Sequence, residues 1–279
     1  MIHVLWWLCW GAIGYGVAKL LYPWVEHFLW EADCVEENYQ GRKTPVGAGL
    51  VLYLTGLAGC GVQWLYAQEG TMLRSMLPWL LFATSTAAFI GWVDDQHGEK
   101  AIKGFKGHFQ AFFRQEKLTT GLLKAFVFTL ASAVIASAFS HHFWSWILFT
   151  GLLVLSINTF NLLDVRPGRA VKAFLFAFVI GAFFSHRSSW EIAWLPYLGA
   201  VMAISRFELK TRCMLGDTGA NLIGMLFGLW LIIQQNLWLT TIFFLLFAGL
   251  HVVAETSSIS HVIERVRLLK WVDQWGRQN

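Results

Sequence analysis

Long apolar runs separated by short polar stretches dominate this chain. The apolar residues come in blocks, not in the alternating pattern of a half-buried strand or the one-sided stripe of a surface helix. Nine blocks cover approximately residues 3–24, 45–67, 74–94, 121–140, 143–163, 170–186, 189–205, 218–234 and 237–257. Each is near the roughly 20 residues that a helix needs to cross a bilayer. The predicted fold is all-α, a polytopic membrane helix bundle with one transmembrane helix per block. A transmembrane β-barrel would need short dyad-alternating segments, and none is seen. The first block has neither a basic leader nor a small-residue cleavage site, so it reads as a retained helix. Residues 1–257 form one transmembrane domain, and 258–279 a short tail.

Composition agrees with this pattern. Fifty-six per cent of the residues are hydrophobic and 14% are charged, where a soluble domain carries about a quarter charged. The net charge of +4 is small, and no block is basic enough to point to nucleic acid. Cys9, Cys34, Cys60 and Cys213 have the spacing of neither a zinc site nor a disulfide framework, and read as membrane-core or cytosolic thiols. The placement of Lys and Arg sets the orientation. With the N-terminus outside and the C-terminus in the cytoplasm, 18 of the 21 basic residues face the cytoplasm. Arg74 and Arg187 lie outside, and Lys19 snorkels inward from the first helix.

That topology brings the polar interruptions to the cytoplasmic face. Asp94 and Asp95 end the third block. Neighbouring residues on a helix point about 100° apart, so one can bind Mg²⁺ while the other faces a different ligand. The alternative is a solvated helix end, which the helix dipole disfavours for carboxylates. Lys103 and Lys106 follow in a glycine-spaced stretch that reads either as a phosphate-handling loop or as an ordinary positive-inside loop. Lys124, on the same face, joins them as a candidate substrate-binding residue. Asn158, Asn161 and Asp164 recur at i, i+3 and i+6 on one helix face. Their amides and carboxylate suit sugar hydroxyls or a base edge, or else bonds between helices. Arg166 and Arg169 flank a proline-glycine turn, and their forks match phosphate oxygens. Asp217 stands in a glycine-flanked turn that opens the eighth block, as a metal ligand or as a helix N-cap.

These stretches resemble the polyprenyl-phosphate N-acetylhexosamine-1-phosphate transferases. The resemblance rests on Gly91-Trp-Val-Asp94-Asp95, Asn158-Thr-Phe-Asn161-Leu-Leu-Asp164 and Met214-Leu-Gly216-Asp217-Thr218-Gly219, in family order. Thr44-Pro45-Val-Gly47-Ala-Gly49 and Glu255-Thr-Ser-Ser258 resemble two further family segments. The resemblance implies a catalytic set of Asp94, Asp95 and Asp217, with Asp217 and Asp94 as ligands of Mg²⁺ or Mn²⁺. It implies that Asn161 and Asp164 line the nucleotide-sugar side, with Thr44 at the second block. The chain departs from the pattern at Pro167, where the family carries a second aspartate. It also lacks the family's histidine-rich loop and tenth span.

The expected function is transfer of a sugar-1-phosphate from a UDP-activated amino sugar to undecaprenyl phosphate. The products are polyprenyl-diphospho-sugar and UMP, made at the cytoplasmic face of the plasma membrane for cell-envelope polymers. The partners are the polyprenyl phosphate lipid, the UDP-sugar and the membrane, with a homodimer as the expected assembly. The alternative is a catalytically silent family member acting as a partner or regulator of wall synthesis. A transporter would place polar residues near mid-membrane, and here they crowd one face.

Overall fold

The computed structural model describes residues 2–98, 119–185 and 189–277. Nine of the described helices have fifteen residues or more: α1 (Ile2–Glu31), α2 (Gly49–Tyr66), α3 (Met72–His97), α4 (Thr120–Phe139), α5 (Phe143–Leu163), α6 (Arg169–Phe183), α7 (Leu195–Leu209), α8 (Gly216–Ile233) and α9 (Leu237–Thr256). Each overlaps one expected block. A 3₁₀ turn, Ser189–Trp194, leads into α7, and two short helices, α10 (Ile259–Arg265) and α11 (Arg267–Gln274), come last. Seven described segments are long and apolar enough to cross a membrane. The chain is an all-α polytopic membrane bundle.

Local chemistry starts several of these helices. The Thr71, Thr119 and Asn236 side chains accept the N–H groups of Arg74, Leu122 and Leu239 and cap α3, α4 and α9. Pro196 sits in the first turn of α7, where its missing N–H costs nothing.

α8 is the axis of the bundle. Of its residues 94% are buried, against 22% for the peripheral α9. Small residues let its neighbours approach closely, as in other membrane helix contacts. A Cβ on Gly49 of α2 would collide with Gly219, and one on Gly224 would lie 2.6 Å from the Ile157 backbone of α5. Further along α8, Phe227 meets Phe160, Phe174, Phe243 and Phe247 edge-on, with ring centroids 5.0–6.4 Å apart.

Two elements at one end of the bundle were not anticipated. Strands β1 (Val35–Glu37) and β2 (Lys43–Pro45) form a small antiparallel hairpin. Asn38 closes its turn by accepting the N–H groups of Gln40 and Arg42. This is why α2 starts at Gly49 and not at residue 45: the preceding residues are strand. The second is α10–α11, which fold the expected tail back onto the start of α6.

Candidate active site

The site forms where α3, α4, α5 and α8 converge. Gly91 of α3 faces the start of α8, and a Cβ there would lie 2.6 Å from Thr218 Cα. This contact lets the next turn of α3 reach the N-terminus of α8. Asp95 accepts the N–H of Asp217 at 2.7 Å, the N–H of Thr218 at 3.0 Å and the Thr218 hydroxyl at 2.5 Å. A carboxylate unfavourable at the end of its own helix is thus stabilised by the positive end of another. Gly216 has φ +72°, in the left-handed region, and a side chain there would strike the Asp95 carboxylate.

Asp94 points elsewhere, as its helical phase requires. Its Oδ2 lies 3.3 Å from the Lys124 ammonium, and the same ammonium pairs with Asp217 Oδ2. Asn161 donates to Asp217 Oδ2 at 3.3 Å. Lys124 is buried, so one cation bridges two carboxylates at the edge of the core. Among the described residues no three Asp, Glu, His or Cys side chains converge as a metal cage. Mg²⁺ does not require one, because it is commonly held by one or two carboxylates with waters and substrate phosphates. The Asp94 and Asp217 carboxylates fit that hard, all-oxygen preference, and Asn161 turns its amide N–H toward Asp217. The Lys124 ammonium lies between the two carboxylates.

Beside this cluster opens a cavity of about 330 Å³. Asp95, Asp164, Glu208 and Asp217 line it, with Thr44, Arg166 and Pro167. The Thr44 hydroxyl accepts from Asn38 at 3.0 Å and donates to the Arg42 carbonyl at 3.1 Å. A parallel bridge between Val46 and Met214 ties this hairpin to the Asp217 turn. Arg166 lies over the Tyr39 ring, 5.2 Å from its centroid. Burial pushes the Asp164 carboxyl well above its ordinary value, and the nearby Glu208 carboxylate acts in the same direction. Glu208 is 2% exposed, and its Oε2 has no hydrogen-bond partner among the described residues. A buried carboxylate oxygen left in this state needs a donor from a ligand or water.

Asp94, Asp95, Lys124, Asn161, Asp164, Arg166, Asp217 and Thr44 therefore gather at one end of the bundle. Asn158 sits on the exposed surface of α5. Arg169 does not reach the cavity: its guanidinium is held by Asp273 and Ser260. The reason is α11, whose docking the sequence pattern did not reveal. Lys103 and Lys106 lie outside the described residues. Sequence reasoning missed Glu208, Tyr39 and Asn38. Glu208 reads in sequence as one more charge at a helix end, between Arg206 and Lys210.

The membrane-crossing bundle thus gathers carboxylates, an amide and a buried lysine at one end. The family model described as Glycosyl transferase family 4 matches residues 77–235, more than half of the chain, and the chain belongs to that family. These are the polyprenyl-phosphate hexosamine-1-phosphate transferases, membrane enzymes that use a lipid phosphate and a nucleotide sugar. The match runs from α3 to the end of α8 and so contains Asp94, Asp95, Lys124, Asn161, Asp164 and Asp217. No curated protein matches the chain.

Proposed function

We propose that the chain transfers a sugar-1-phosphate from a UDP-activated amino sugar to undecaprenyl phosphate at the cytoplasmic membrane face. The products are polyprenyl-diphospho-sugar and UMP, serving cell-envelope polymer synthesis. The observation that carries this reading is the Lys124 ammonium bridging Asp94 and Asp217 beside an acidic cavity. Two anionic phosphates must meet in this reaction, and positive charge has to be concentrated where they do.

An oxygen of the lipid phosphate attacks the phosphorus that bears the sugar. A P–O bond forms there as the bond to the uridylate oxygen breaks, and its electron pair leaves with UMP. Lys124 donates to the phosphate oxygens and offsets their repulsion. Asp94 accepts any proton left on the lipid phosphate, a modest help because that group's second pKa is about 6. Asp95 holds the start of α8, and with it Asp217, in register. Mg²⁺ or Mn²⁺, held by Asp217 and Asp94, would supply Lewis-acid stabilisation of the charge spread over the transferring group. The nucleoside occupies the cavity side, where Asp164 and the unpartnered Glu208 oxygen accept its N–H and O–H donors. Glu208 takes this task in a chain whose turn carries Pro167 in place of an acid.

The test is transfer of labelled sugar phosphate from a panel of UDP-sugars to undecaprenyl phosphate by the purified protein. Label should enter the lipid fraction with Mg²⁺ present and vanish with EDTA or with Asp217→Asn. No transfer from any donor would reject the enzyme in favour of a silent partner in wall synthesis.

A further inference from the structure

The last two described helices carry the inference. The chain leaves the membrane-crossing α9 at Thr256 and enters α10 after Ser257 and Ser258, with Val266 alone between α10 and α11. At 100° per residue, Leu268, Leu269, Trp271, Val272 and Trp275 fall on one side of α11, and Arg267, Lys270, Asp273 and Gln274 on the other.

The polar side is anchored. Arg169 grips Asp273 with two parallel bonds of 2.7 and 3.2 Å and reaches Ser260 at 2.9 Å. Lys172 donates to the Val272, Asp273 and Trp275 carbonyls at the end of α11, where a helix has orphan acceptors and attracts a cation. Arg277 donates to the Pro167 carbonyl at 3.3 Å and to Asp273 at 3.1 Å. Burial opposes ionisation of Asp273, yet the Arg169 and Arg277 guanidiniums prevail and hold its carboxyl below the ordinary range. The anchor is therefore charged at neutral pH. Its far end is the turn through Arg166 and Pro167 that lines the cavity.

The apolar side is uncovered. Leu268, Trp271 and Trp275 are 67%, 63% and 66% exposed, and the two indoles stack with centroids 6.4 Å apart. Paired tryptophans on a basic amphipathic helix, a few residues from a bilayer exit, match the chemistry of the headgroup boundary. Exposed Arg265, Arg267 and Lys270 add charge complementary to anionic headgroups.

We propose that α10–α11 is a membrane-interface strap. The apolar face of α11 lies in the headgroup–acyl boundary of the bilayer that holds the bundle, while its polar face braces the turn at Arg166 and Pro167. The occupant of the exposed face is that lipid surface, on the leaflet from which a lipid substrate would enter. The strap stands independently of which donor the enzyme uses.

The test uses the whole chain in vesicles containing phosphatidylcholine and phosphatidylglycerol. On a Cys9→Ser background, an environment-sensitive fluorophore is attached at Trp271→Cys, at Leu268→Cys or, on the polar side, at Lys270→Cys. Probes at 271 and 268 should be blue-shifted and quenched by lipids brominated in their acyl chains, at a depth of about 5–10 Å below the headgroups. The probe at 270 should be quenched far less. Equal, water-like emission at all three positions would overturn the proposal. So would protection at 271 that arises from cross-linking between copies and not from lipid. The readout is depth and not turnover, so an inactive preparation leaves it intact.

Discussion

Lys124 is the residue on which the site's electrostatics turn. It neutralises two carboxylates that lie mostly out of water, Asp94 and Asp217, with side chains 20% and 27% exposed. Lys124→Met leaves them facing each other without a cation. Removing one partner of a buried ion pair costs about 3–5 kcal/mol, and the partial exposure here reduces that to about 2 kcal/mol. The melting temperature in detergent should fall, and added Mg²⁺ should raise it more in Lys124→Met than in the parent. Transfer activity should drop by about 100-fold, the usual cost of losing one donor to a developing charge. Glu208 gives a different signature. Glu208→Gln keeps the shape and weakens the acceptor at Oε2, the oxygen that has no partner among the described residues. One charge-assisted bond lost is worth about 1.5–3 kcal/mol. The donor KM should therefore rise by about tenfold or more, with the KM for the lipid phosphate unchanged. Equal changes in both would remove Glu208 from the nucleoside side.

At the scale of elements, the site is a junction between the end of α3 and the start of α8. Asp95→Asn keeps one acceptor oxygen and loses the charge at the helix N-terminus, where Asp95 now accepts three bonds. The expected cost is about 1–2 kcal/mol, seen as a lower melting temperature. Asp94→Asn should abolish transfer with a smaller thermal change, because Asp94 accepts none of the α8 N–H groups and Lys124 keeps Asp217 as its partner. A reversed pattern would mean that the two neighbours have exchanged roles. The helical 100° step already separated these two aspartates in sequence, and the apolar blocks located the long helices. What the pattern could not convey was which partner each aspartate meets. Asp95 looked misplaced at a helix C-terminus because its stabilising dipole belongs to a helix 122 residues later. Glu208 was missed, and the Arg169 partner was not foreseen, for the same reason. Their roles depend on contacts with the Gly168 turn and with α11, and no local periodicity encodes those contacts.

At the scale of the whole molecule, the +4 chain hides an acidic cavity at one end of its bundle. On the proposed reading that end faces the cytoplasm, where a nucleotide sugar is found, as the Lys and Arg bias predicts, and this orientation can be tested without any enzyme assay. α2 runs from Gly49 to Tyr66, so Lys43 and Glu69 emerge on opposite sides of the bilayer. Both are exposed. Cys34, Cys60 and Cys213 are buried, and Cys9 can be replaced by serine. In intact cells, a membrane-impermeant maleimide should label Glu69→Cys and leave Lys43→Cys unmodified until the membrane is broken. The opposite result would put Asp94, Lys124 and Asp217 outside the cell, away from the nucleotide-sugar pool. The cavity would then need another source of activated phosphate, and the proposed donor would fall while the carboxylate–lysine geometry stood.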